Sequence, residues 1–239
     1  MFFYGVNTLK EAIKSNQKIK KVYIYEKIKK FEEIMEILTK NNIRFQKVPM
    51  KVLQKLSGEY KNQGIVFEIN EFKYHDLEEI LSDNQRKNLF LVLLDQVQDP
   101  HNLGAIVRTA ACAGADGIVI TKDRSTKVTP AVAKVSAGMV FNIPIVLVTN
   151  LVNAIKTLKN HGVWVYGADM KGKNLWHVDF TIPIALVMGN EGSGLRRLVK
   201  ENCDELVAIP MKSNVDSLNV SVSMGILAFE VLRQRKYST

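Results

Sequence analysis

In the front part of the chain, apolar positions come in short bursts of changing period. Val6 to Lys14 reads as a short helix, and Val22-Tyr23-Ile24-Tyr25 as a strand. Phe31, Ile34, Met35, Ile37 and Leu38 mark an amphipathic helix with Lys and Glu on its other face. Phe45 to Val48 predicts a second strand. Val52, Leu53 and Leu56 predict a helix closed by Gly58. Ile65 to Ile69 predicts a third strand after the turn residues Asn62-Gln63-Gly64. Together these make a small α/β unit of about 70 residues, large enough to fold but with a modest core.

Beyond Asp76 and Glu79, spaced as a D-x-x-E capping box, and a polar break over Ser82 to Lys87, the texture changes. Leu89 to Leu94 is a continuous apolar run, as in a strand buried on both faces of a parallel sheet. The same texture returns at Gly117 to Thr121, Ile143 to Val148, Val163 to Gly167, Ile184 to Met188 and Leu206 to Ile209. Helical patterns alternate with these runs at Leu103 to Ala113, Pro130 to Gly138, Leu151 to Asn160 and Leu195 to Asn202. In the last helix Leu218, Val222, Gly225, Ile226, Phe229 and Leu232 recur at three- and four-residue steps, and Asp216 and Ser217 suit its N-cap. Strand–helix alternation predicts an open parallel α/β sheet. The expected organisation is a small domain over 1–73, a linker over 74–88 and a large domain over 89–239.

Charge sharpens this division. The 239-residue chain has a formal net charge of +9. Residues 1–73 hold 15 Lys and Arg against 8 Asp and Glu, a net of +7, which leaves +2 for the rest. A basic front on a near-neutral body points to a polyanionic partner; solubility alone is the competing explanation. No apolar run is long enough to span a membrane, and Met1 to Lys10 lacks the core of a signal peptide, so the cytoplasm is expected. Cys112 and Cys203 read as reduced structural thiols. The four histidines are scattered without metal-ligand spacing, and no metal is expected.

In an open parallel sheet, ligands bind beyond the carboxyl ends of the strands, and three loops there are unusually rich. The first is Asp95 to Gly104, leading into a helix that carries Arg108; Asn102 can cap that helix. Read alone, Arg108 is more simply a surface arginine paired with a carboxylate. The second is Gly189-Asn190-Glu191-Gly192-Ser193-Gly194, between a buried strand and a helix. It matches neither a Walker loop nor G-x-G-x-x-G, and its carboxylate disfavours a phosphate ligand. The third runs from Ile209-Pro210-Met211 through a polar stretch to Ser217-Leu218-Asn219. Alone it is also compatible with an ordinary strand-to-helix turn.

Taken together, Asn102-Leu103-Gly104-Ala105-Ile106-Val107-Arg108, Leu186 to Gly194, and Ile209-Pro210-Met211 with Ser217-Leu218-Asn219-Val220-Ser221 resemble the three motifs of the SpoU (TrmH-type) branch of the SPOUT methyltransferases. The resemblance covers roughly residues 89–235. The front domain resembles the family's small L30e-like substrate-binding domain, through Phe3-Tyr4-Gly5, the helix that follows and the basic charge. Asp99 to Asn102, Lys122-Asp123-Arg124-Ser125 and the two-domain layout look like the bacterial members that 2′-O-methylate a guanosine of 23S rRNA.

The resemblance implies an α/β sheet with a C-terminal trefoil knot, S-adenosylmethionine as cofactor, RNA (rRNA foremost) as partner, and a homodimer formed through the knotted region. It implies that the backbones of Gly189, Ile209 and Leu218 hold the cofactor, with Ala168 and Met211 on the adenine side. It gives Arg108 the role of activating the ribose hydroxyl. A guanidinium does not give up its proton, so its expected part is to bind phosphate and stabilise the developing alkoxide. Asn102, Glu191, Ser217 and Asn219 are implied to orient the loops and the ribose. Three alternatives stand beside this reading: a tRNA guanosine methyltransferase, a non-catalytic RNA-binding protein, and a dinucleotide-dependent oxidoreductase. The missing G-x-G-x-x-G after the large domain's first strand counts against the last.

Overall fold

The structure is a computed structural model and describes residues 1–82, 88–212 and 217–237. The front of the chain forms β1 (Phe2–Tyr4), α1 (Val6–Lys14), β2 (Ile19–Ile24), α2 (Phe31–Lys40), β3 (Phe45–Lys47), α3 (Met50–Ser57) and β4 (Ile65–Ile69). Next come α4 (Leu77–Leu81), β5 (Phe90–Leu94), α5 (Pro100–Cys112), β6 (Gly117–Thr121) and α6 (Pro130–Val135). The remainder comprises β7 (Ile145–Val148), α7 (Leu151–Asn160), β8 (Trp164–Asn174), β9 (Ile184–Met188), α8 (Arg197–Asn202), β10 (Glu205–Ala208) and α9 (Val220–Tyr237).

These elements form two compact units. The first comprises Met1–Lys73 and Val128–Asn142, the second Tyr74–Lys127 and Ile143–Thr239. The first therefore includes a segment that the sequence pattern placed in the large domain. The reason is apolar. Phe141 sits in edge-to-face contact with Phe3, 5.3 Å between centroids, and also touches Phe67. Val132 and Val140 are buried with it. The expected helix at Pro130 to Gly138 stops at Val135, and a 3-10 turn at Met139–Phe141 follows Gly138, whose φ is 91°.

The first unit's sheet has the order β1-β4-β2-β3. β1 and β2 run antiparallel to β4, and β3 runs parallel to β2. Strand β1 was not expected, because three residues carry no period. Its pairing with β4, Phe2 opposite Glu68 and Tyr4 opposite Val66, creates it. Gly58 ends α3 as expected, in the left-handed conformation that glycine adopts freely.

The second unit has a six-stranded sheet in the order β10-β8-β9-β5-β6-β7, parallel throughout. Every residue of β5, β6 and β9 is buried, as their unbroken apolar runs predict. The span 74–88, expected as a linker, instead contributes α4, whose Ile80 is buried in this unit's core beside Leu91 and Val146. The capping box ahead of it does not form. Asp76 makes no side-chain cap bond, and Glu79 Oε2 lies 3.2 Å from His75 Nδ1. His75 itself, expected as a simple surface residue at the edge of the front unit, donates its backbone N–H to Ile145 O in the second.

Helix α9 departs most from its pattern. The face expected to be buried holds Val222 and Phe229, which are 50% and 49% exposed. The buried residues are Val220, Met224, Leu227, Ala228, Glu230 and Val231. The helix is apolar on both sides, so periodicity alone could not choose the core face. Cys112 is exposed at the end of α5 rather than packed as a structural thiol. The Cys203 thiol is pushed up to about 12, mainly by burial, and donates to Val199 O. Among the described residues no helix is long and apolar enough to cross a membrane.

Candidate active site

The second unit opens a cavity of about 480 Å³ beyond the carboxyl ends of β9 and β10 and beside the middle of β8. Strand order explains its position. β9 lies between β8 and β5, so the chain switches direction of travel across the sheet beside it, and loops diverge there. One wall comes from a slip in pairing. β10 follows β8 at Tyr166 and Gly167, then resumes at Lys173 and Asn174, so 168–172 lie outside the ladder. Ala168, Asp169, Met170 and Lys171 of that stretch line the cavity. Gly172 allows it, since a Cβ there would stand 2.5 Å from the Leu206 carbonyl carbon.

The second wall is the Gly-rich loop after β9. Asn190 and Gly194 exchange backbone hydrogen bonds at 3.1 and 2.9 Å, which folds the loop onto itself. A Cβ at Gly189 would lie 2.3 Å from the Gly194 carbonyl carbon and 2.5 Å from Leu195 N, so only glycine fits. Asn190 Oδ1 accepts from Gly192 N at 3.0 Å, and its Nδ2 donates to Gln96 O at 2.9 Å, in the loop after β5. The third wall is the segment after β10: Ile209, Met211, Ser217 and Leu218, then Val220 and Ser223 of α9.

Asn102 joins the loops. It is not the cap of α5; Asp99 is, accepting from His101 N, and Asn102 stands inside the first turn, buried. Its Nδ2 donates to Glu191 Oε1 at 2.7 Å, and its Oδ1 accepts from Asn219 Nδ2 at 3.0 Å. Asn219, directly before α9, accepts at its own Oδ1 from Ser221 N at 2.9 Å. It thus does the capping expected of Ser217; the other expected cap, Asp216, lies outside the described residues. One buried amide therefore holds a carboxylate 89 residues away and a helix start 117 residues away.

Of the residues singled out from sequence, Gly189, Ile209, Leu218, Ala168, Met211, Glu191 and Ser217 line the cavity. Asn102 and Asn219 stand behind Glu191. Arg108 does not line it. It is exposed on α5, about 9 Å along the axis from Asn102, with no ion-pair partner among the described residues. The surface salt bridge that Arg108 alone suggested is absent there.

Sequence reading missed two supports. Asp95, fully buried, accepts from Arg196 Nε at 2.7 Å and Arg196 N at 2.9 Å, which ties the first loop to the end of the second. Asp169 accepts from Lys200 Nζ at 2.7 Å, both on the cavity wall. Burial alone would raise the Asp169 carboxyl, but hydrogen bonds from Lys200 and the Lys171 backbone hold it below the usual range. Neither pair has a sequence signal, because the partners are 101 and 31 residues apart.

Residues 89–229 match the SpoU rRNA Methylase family, and residues 2–75 match the family described as RNA 2′-O ribose methyltransferase substrate binding. The chain belongs to the SpoU rRNA methylase family. A Bacillus subtilis protein assigned to the TrmH family of tRNA/rRNA methyltransferases is 40% identical over 98% of this chain and 96% of its own. The 23S rRNA (guanosine-2′-O-)-methyltransferase RlmB of Xanthomonas campestris is 40% identical over 97% of this chain and 95% of its own. Among solved structures, the AdoMet-bound rRNA methyltransferase of Sinorhizobium meliloti superposes with a TM-score of 0.82 at 27% identity, covering 99% of this chain and 88% of that one. In this SpoU methylase, two of the three stretches that carry the family resemblance form the second and third cavity walls, and Asn102, from the remaining one, ties them together behind the cavity.

Proposed function

We propose that this SpoU methylase transfers the methyl group of S-adenosylmethionine to the 2′-oxygen of a guanosine ribose in 23S rRNA. One observation carries the reading: three loops far apart in sequence are tied by Asn102 around one cavity, in a chain 40% identical along nearly its whole length to an RlmB enzyme. The cavity suits the cofactor. Ile209, Met211, Leu218 and Leu227 offer apolar surface to a flat ring, while Glu191 is an acid compatible with a positively charged ligand. Gly189 and the loop it begins leave backbone close to the ligand space. When bound, the cofactor supplies a methyl group on a sulfonium, already activated for displacement.

The chain's residues then have to deliver the ribose oxygen. Asn102 fixes Glu191 and the start of α9, so the loops are set before substrate arrives. Arg108 contacts phosphate and stabilises the developing alkoxide, while the hydroxyl proton passes to solvent and the demethylated cofactor leaves as the neutral thioether. Its place outside its own chain's cavity supports a homodimer in which Arg108 serves the partner's site. The exposed apolar side of α9, with Val222 and Phe229, supports the same assembly, and α5 packs beside it. Ile209, Met211, Ser217 and Leu218 share the cavity with the β9 loop, and α9 packs on α5, which agrees with the family's trefoil knot. We read the front unit as the first hold on RNA and the cytoplasm as the place of action.

The test is methyl transfer in vitro. Labelled S-adenosylmethionine and a 23S rRNA transcript should yield 2′-O-methylguanosine after nuclease digestion. Label on a base, or none, contradicts the proposal. Label only in tRNA favours the second reading, which the tRNA/rRNA assignment of the Bacillus relative keeps open.

A further inference from the structure

The loop after β6 has no part in the chemistry above. It carries Lys122, Arg124 and Lys127, all exposed and none with an ion-pair partner among the described residues. Elsewhere in this unit Lys159, Lys173, Arg196, Lys200 and Arg233 each pair with a carboxylate, and Arg108 and Lys156 have no such partner among the described residues; the loop differs in gathering three such cations within six residues. Exposed Asp123 offsets one of the three charges, so the loop keeps a net positive field.

The loop is also held in shape. Thr121 Oγ1 donates to Asp123 O at 2.8 Å and lies 2.7 Å from Ser125 Oγ. Lys122 N donates to Val148 O at 2.8 Å. Arg124 has a φ of 54°, in the left-handed region that arginine seldom adopts. Such conformations persist where surrounding bonds over-determine them, and they cluster at functional sites.

Its anchorage links it to the cavity. Thr126 N donates to Val97 O at 3.0 Å, while the preceding carbonyl, Gln96 O, accepts from Asn190 of the cavity loop. One short stretch after β5 thus holds the cationic loop on one side and the cavity loop on the other. β6 and β9 flank β5 in the sheet, about 10 Å apart, and both loops leave the same carboxyl edge.

We propose that Lys122, Arg124 and Lys127 form a ledge that binds the phosphodiester backbone of nucleotides flanking the methylated ribose. This rests on the reading that the substrate is RNA. Phosphate contacts fix register and orientation, which a ribose must have to meet the methyl donor. The second unit thereby holds its own share of the substrate, and the front unit is not the only RNA-binding surface.

The test uses the full chain and a 23S rRNA fragment, with binding followed across salt concentrations. Arg124→Gly removes the cation at a φ that glycine adopts freely, so folding is kept. A triple variant adds Lys122→Gln and Lys127→Gln; Lys156→Gln, on α7, controls for net charge. The triple variant should flatten the slope of log affinity against log salt by about 2, at roughly 0.7 to 0.9 per lost phosphate contact. Arg124→Gly should flatten it by a little under one. Affinity for S-adenosylmethionine should stay within about two-fold of wild type, and Lys156→Gln should change nothing, if the ledge acts through localised phosphate contacts. Wild-type slopes in Arg124→Gly and the triple variant overturn the ledge, as does an equal effect of Lys156→Gln. If the wild type binds RNA with a ledge-dependent slope but transfers no methyl group, the ledge stands and the proposed function fails. If the wild type binds no RNA, both fall.

Discussion

The two units use polar side chains differently. In the first, ion pairs lie on the surface: Lys10 with Glu33, Lys14 with Glu11, Lys20 with Glu68. Such pairs contribute little to stability, about 0 to 1 kcal/mol each, and leave most of the unit's lysines free to face a partner. In the second, buried Asp95 and Asn102 each bind groups far along the chain. These bonds fix loops relative to one another. The mixed sheet of the first unit sends its connections to both ends, whereas the parallel sheet of the second sends every strand's exit to one edge. In the proposed function, the front unit attracts RNA and the second holds reacting groups in place.

The strongest way to break this contrast is to remove the front unit. Deleting Met1–Lys73 strips Phe3 and Phe67 from Phe141 and uncovers Val132 and Val140. The deletion alone is expected to aggregate on size exclusion. Replacing 128–142 by a short polar loop as well should restore a soluble, cofactor-binding body. Solubility of the simple deletion would show that this segment does not depend on the front unit.

Next in size is Arg108→Ala. It should cut single-turnover methylation by at least about 100-fold with S-adenosylmethionine affinity unchanged, the scale for losing a preorganised charge partner. Arg108→Lys should recover little, because an ammonium does not reproduce the guanidinium fork. Near-normal rates would remove Arg108 from the reaction. Gly189→Val should follow, weakening cofactor binding about 10- to 100-fold by calorimetry, since overpacking by about 1 to 3 kcal/mol has to be relieved in the loop itself. Retained affinity would mean that this loop does not hold the cofactor. Asn102→Ala should be the mildest. Loss of its bonds to Glu191 and Asn219 should lower stability by about 1 to 3 kcal/mol in denaturant titration. A change confined to activity would show that the hub positions groups without supporting the fold.

Sequence pattern located most elements because their signals are local. β4, β6, β9 and α7 were expected at their observed bounds: the strands are mainly apolar runs, β4 interrupted by Glu68, and α7 is a helix capped by Asn150. Features decided by a distant partner were not legible. β1 exists through β4, and the looped-out 168–172 through the register of β10. The core face of α9 depends on α5, since both of its sides are apolar. The site lies between these cases. Glu191 and Asn102 stood out within their motifs, but no spacing rule joins residues 89 apart, and only the resemblance to a family brought them together. The ties between Asp95 and Arg196 and between Asp169 and Lys200 had neither source.

The central claim, methyl transfer to one guanosine ribose of 23S rRNA, is tested most directly in cells. 2′-O-methyl sites should be mapped across rRNA and tRNA from a strain lacking this protein and from the same strain carrying it again. The account predicts that one guanosine in 23S rRNA loses its ribose methyl group and regains it on complementation, with tRNA unchanged. An intact 23S rRNA pattern, with or without a site lost from tRNA, would contradict it.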